Sequence, residues 1–106
     1  MKCTFVDVVN LSLERRSQSW QDFRQLKMST QQAVKIVRLL SEVNKKAEEF
    51  DKMRQEIIEN ESITDKAAAI NELLLQEVEI DSGYIELPEE APFSVIEVLA
   101  PFSKQD

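Results

Sequence analysis

One stretch constrains this chain more than any other. Ala33, Ile36, Leu40, Val43, Ala47, Phe50, Arg54 and Ile57 recur at alternating spacings of three and four over nearly four heptads. That period places them along one side of a single α-helix of roughly 45 Å, at 1.5 Å rise per residue. Val37, Leu39, Met53 and Ile58 widen the apolar face. The far side carries Glu42, Lys45, Lys46, Glu48, Glu49, Asp51 and Lys52, mixed charges suited to i,i+4 pairing such as Glu48–Lys52. Ser29-Thr30-Gln31-Gln32 reads as its capping box, with Ser29 as N-cap and Gln32 reaching back.

Upstream, Thr4 to Asp7 reads as a second capping box. It opens a helix over residues 5–25 that puts Phe5, Val8, Val9 and Leu13 on one side. Arg15, Arg16 and the Ser-Gln-Ser stretch weaken that stripe, so a break near Ser17 is expected, before Trp20, Phe23 and Leu26 resume it. Downstream, Ser62 with Asp65 is expected to cap a third helix over 63–76, lined by Ala67, Ile70, Leu73 and Leu74. The period then changes to two. Val78 and Ile80 are expected to face Ile85 and Leu87 across a β-hairpin over 77–87, with Gly83, the only glycine, at a positive φ. A lone hairpin is marginal and must rest on the helices. Pro92 suits the first turn of a short helix over 92–100, with Phe93, Ile96 and Leu99 inward, and Pro101 stops it. The expected fold is one domain over 1–106, mainly α with a small β-hairpin (α+β). A long central helix packs against a broken N-terminal helix and a shorter third helix, followed by a short C-terminal helix.

Composition narrows function. With 42% hydrophobic and 31% charged residues, the chain is not disordered by composition. The net charge of −7 argues against direct binding to nucleic acid or an anionic membrane. It is unevenly divided. Residues 1–60 hold 11 Lys or Arg against 9 Asp or Glu, a net of +2; residues 61–106 hold 2 against 11, a net of −9. The single Cys3 cannot form an internal disulfide, which suits a reducing cytoplasm. No signal-peptide pattern is read at the start, because Asp7 interrupts the first apolar stretch. No run approaches 18 apolar residues, so no membrane span is expected.

The absence of histidine removes the commonest general base and metal ligand. One cysteine excludes a thiolate cluster within the chain. One glycine leaves no phosphate-cradling loop. No catalytic residue, cofactor or metal is therefore expected. Glu56 and Glu59, with Glu48 and Glu49, are the one set that could hold Mg²⁺, as in all-helical nucleotide pyrophosphohydrolases. They surround the apolar seam, and a solvated helix face accounts for them better.

The order of segments resembles a family of small uncharacterised phage and prophage proteins of Gram-positive bacteria. The resemblance rests on Phe5 to Asn10, on Leu26-Lys27-Met28 running into Ala33 to Leu40, on Ile70 to Leu74 leading to Glu77 to Ile80, and on Val98 to Phe102. The long helix between them is similar to the family's charged segment, which carries an Arg near Arg54. A proline common there before the long helix is replaced here by Met28-Ser29. The resemblance implies a phage origin and transfers no catalytic residue.

These readings lead to protein–protein association, as a virion accessory or an intracellular adaptor in the bacterial host cytoplasm, with self-association expected. The seam either packs only within the chain or continues into a neighbouring subunit. Arg54 at a seam position favours the second, since a buried Arg needs a carboxylate partner; an exposed, snorkelling Arg54 is the alternative. Trp20 and Phe23 are core residues or an interface anchor. The acidic residues Glu77, Glu79, Asp81, Glu86, Glu89 and Glu90 are a solvated surface or a docking face for a basic protein. The latter would suit an anti-defence or host-takeover inhibitor of a nucleic-acid-binding enzyme.

Overall fold

The computed structural model describes residues 1–103. They run through β1 (Lys2–Thr4), α1 (Phe5–Glu14), α2 (Gln18–Arg24), α3 (Thr30–Glu59), α4 (Lys66–Leu74), β2 (Glu77–Glu79) and α5 (Phe93–Leu99), then a 3-10 turn at Ala100–Phe102. The class is mainly α with one small antiparallel two-stranded sheet. α3 spans the long dimension of a body measuring 51 × 27 × 22 Å.

Local chemistry sets the helix ends where the sequence places them. Thr4 and Asp7 form a full capping box at α1, and Ser29 and Gln32 form another at α3. The expected break falls at Ser17, whose hydroxyl accepts the Trp20 N–H at 3.1 Å and so caps α2. At α4 the cap is Asp65 alone, accepting from the Ala68 N–H at 3.0 Å. Ser62 instead bonds Asn60 within the preceding turn.

The expected 77–87 hairpin is corrected. β2 pairs with β1, in the register Lys2↔Glu79, Cys3↔Val78, Thr4↔Glu77. Met1 and Ile80 exchange hydrogen bonds beyond one end of this ladder, and the Phe5 N–H donates to the Gln76 carbonyl beyond the other. Cys3 and Ile80 turn inward, and Lys2, Glu77 and Glu79 outward. The chain does not reverse at Gly83, which has no positive φ. Glu42 of α3 holds the 81–82 backbone instead, accepting N–H bonds from Asp81 at 2.7 Å and Ser82 at 2.8 Å. The segment then runs to the C-terminal turn, where the Ile85 N–H donates to Phe102 and Ile85 bridges Ser103 in parallel.

Two apolar clusters organise the interior. The larger joins Cys3, Val8, Leu11, Leu39, Val43, Ile80, Ile85, Leu99 and Phe102 with the α2 aromatics. The smaller joins Phe5, Phe50 and Leu73 from α1, α3 and α4, the two rings 5.5 Å apart. On α5 the inward side is Val95 and Leu99, continued by Phe102. The expected Phe93 and Ile96 are instead 75% and 36% exposed. Five of the seven α5 residues are apolar, so periodicity alone offered two stripes, and the buried Ala91 just before the helix accompanies the Val95 side. On α4, Leu73 is buried, Ile70 and Leu74 are half-buried, and Ala67 is exposed.

Candidate functional site

The seam on α3 is only partly closed by its own chain. A heptad pattern on a straight helix drifts by about 20° per repeat. The Ala33–Leu40–Ala47–Arg54 row therefore rotates along α3 relative to the elements packed on it. Ile36, Leu39, Val43 and Phe50 are buried, while Ala33, Leu40 and Ala47 are half-buried. Arg54 ends up exposed. The salt bridges among the described residues are Met1–Glu79 and Lys46–Glu49, neither of which involves Arg54. Arg54 is thus without a carboxylate partner among the described residues of its own chain, which both readings of it, snorkelling and contact with a neighbouring subunit, share.

Where α2 turns into α3 the half-buried row opens into a groove of about 500 Å³. Trp20 and Phe23 form one wall, with ring centroids 5.2 Å apart and planes tilted by 43°. Both belong to the larger core cluster and are nearly fully buried, yet one side of each lines the groove. Met28 and Leu40 continue the apolar lining. Val37 stands at the lip, 64% exposed. Arg15 and Arg24 lie on the rim, and no carboxylate lines the groove. The Arg15 guanidinium donates to the Asn44 side-chain oxygen, which fixes one end of that rim. Arrangements of this size and composition bind ligands or side chains by apolar burial, with polar groups at the edge setting orientation.

The acidic residues are distributed differently. Glu77 and Glu79 share the outer face of β2. The Glu79 carboxylate is 3.7 Å from the Met1 ammonium. Asp81, Glu86, Glu89 and Glu90 are exposed along the segment that follows. None of the six lines the α2–α3 groove. Glu48, Glu49, Glu56 and Glu59 are exposed on α3, and among the described residues no three His, Cys, Asp or Glu side chains are grouped to hold a metal ion.

Sequence reasoning missed Glu42, which it placed on the solvated face of α3. Burial pushes the Glu42 carboxyl up, but the Ser82 hydroxyl, the Asp81 and Ser82 N–H groups and the Lys45 charge outweigh it, and the carboxyl is held below its ordinary value. It also missed the role of Val37 at the lip, whose only signal was an apolar residue beside the seam. Among the described residues no helix is long and apolar enough to cross a membrane. No protein-family model, curated protein or solved structure matches this chain.

Proposed function

We propose that this chain works by binding other proteins, its own copies included, and carries out no catalysis itself. The observation that carries the reading is the open apolar groove between α2 and α3, with buried aromatics for a wall and exposed Val37 at its lip. Aromatic anchors set in a pocket and rimmed by polar groups are how protein interfaces concentrate their affinity. The resemblance to small phage and prophage proteins supports a phage setting, in the host cytoplasm or on the virion. The experiment is affinity purification of the tagged chain from infected cells, compared with a Val37→Asp variant. A partner recovered with the first and lost with the second supports the reading. An identical set of proteins from both sinks it.

The exposed run Glu77, Glu79, Asp81, Glu86, Glu89 and Glu90 favours a second reading, in which an acidic face docks on a basic, nucleic-acid-binding enzyme. Such binding weakens steeply with salt, because exposed charges are screened beyond about 8–10 Å at 0.1–0.15 M. Affinity that is indifferent between about 50 and 500 mM salt removes it.

A further inference from the structure

The groove and the acidic segment are chemically complementary. The groove is apolar within, with Arg15 and Arg24 on its rim and no carboxylate. The stretch from Tyr84 to Phe93 offers the reverse. Its two aromatic residues are exposed, Tyr84 at 53% and Phe93 at 75%, and Glu86, Glu89 and Glu90 beside them are exposed too. A large apolar side chain left in water next to paired carboxylates is the shape of an anchor with its own orienting charges.

We propose that the α2–α3 groove receives the 89–93 segment of a second copy of this chain, with Phe93 entering between the α2 aromatics and Leu40, and Glu89 and Glu90 facing Arg15 and Arg24. The argument for a second copy is that both halves of the match lie on one sequence, whose first 60 residues carry +2 and whose remainder carries −9. Every copy therefore carries both the arginine-rimmed groove and the carboxylate-flanked Phe93, and the local opposite charges set the register of the contact. This inference rests on the association reading above and names its surfaces.

The test uses the full chain and two substitutions at exposed positions, Val37→Asp in the groove and Phe93→Ser in the segment. Circular dichroism and thermal melting verify that each variant folds. Mass is read by light scattering across a concentration series. The unaltered chain is expected to exceed the 12.2 kDa of one copy, and each variant alone to fall back to it. An equimolar mixture of the two variants is expected to regain twice that mass, because one intact groove still meets one intact segment. Arg24→Glu mixed with Glu90→Lys is expected to do the same by exchanging charges. Association unchanged in both variants, or no recovery in the mixture, overturns the pairing and leaves the association reading standing. An unaltered chain that stays single yet loses a foreign partner on Val37→Asp also overturns it. A single chain with no groove-dependent partner overturns both.

Discussion

The Glu42 carboxylate accepts the Ser82 N–H at 2.8 Å across 40 residues of sequence, and also accepts the Ser82 hydroxyl. With the Asp81 N–H as a further donor, one side chain of the long helix fixes the point where the chain leaves β2. Hydrogen bonds to a charged group contribute about 1.5–3 kcal/mol when well formed. Glu42→Ala is expected to destabilise by about 1–3 kcal/mol, since the freed backbone groups can turn to water. Urea unfolding measures this. The carboxyl is held below 4.5 in the folded chain. Its contribution is therefore complete above that value and is lost as pH falls through the lower folded value. The gap between the two chains is expected to be widest near neutrality and to close in acid; a gap independent of pH refutes the assignment.

A second tie, between consecutive helices, supplies what α3 lacks. Its last turn contains no basic residue, and its terminal carbonyls are left to other partners. Lys66, at the start of α4, donates to the carbonyls of Ile57 at 3.1 Å and Asn60 at 2.8 Å. A cation at a helix C-terminus contributes about 0.3–1 kcal/mol, and more when partly buried. Lys66→Met keeps the apolar stem and removes the donor. It is expected to cost about 1 kcal/mol and to speed amide exchange in the last turn of α3 before elsewhere. Uniform exchange along the helix sinks the idea.

Much of this architecture was legible because it is local. The α3 boundaries come from Ser29 with Gln32 and from a spacing that needs no knowledge of the rest of the fold. The Ser17 break is equally local. β1 was not legible. Lys2-Cys3-Thr4 is too short for a two-residue period to show, and its partner lies more than 70 residues away. Val78 and Ile80 alternate as strand residues should, but alternation does not say which strand they meet. Glu42 looked like any other charge on a solvated helix face, because its donors, the Asp81 and Ser82 N–H groups and the Ser82 hydroxyl, lie about 40 residues away and nothing in the sequence marks the pairing. Trp20 and Phe23 were singled out by type, and the structure places both on one groove, whereas the acidic residues flagged beside them remain apart from it.

Adjacent leucines on α3 separate closed core from groove. Leu39 is fully buried, whereas Leu40 is half-buried and lines the groove. Truncating a buried leucine typically costs 2–5 kcal/mol, the lost transfer energy adding to the cavity left behind. Leu39→Ala is expected to cost about 3–5 kcal/mol and Leu40→Ala about 1–2, because water or a bound partner can fill the space at Leu40. Denaturant midpoints of the two variants decide it. Equal losses mean that the groove is closed in solution.

Cys3 supplies a test from the opposite end of the pH scale. Its thiol is buried between the sheet and the core, and burial first, then the charges of Asp7 and Glu79, raise it from 9.0 to about 11; the Met1 ammonium and Lys46 pull the other way. A thiolate is the reactive form, so a disulfide reagent is expected to label Cys3 only when the chain opens. Labelling should track the unfolding equilibrium as urea is added. The linkage has a definite sign. A value raised on folding means that the unfolded chain loses its proton first as pH rises, so the stabilisation is complete below about 9 and is lost between 9 and about 11. Subtracting the stability of Cys3→Ala from that of the unaltered chain removes the contributions of other alkaline groups. The difference is expected to fall across that window. A flat difference, or rapid labelling under native conditions at pH 8, places the thiol in water and with it the inner face of β1.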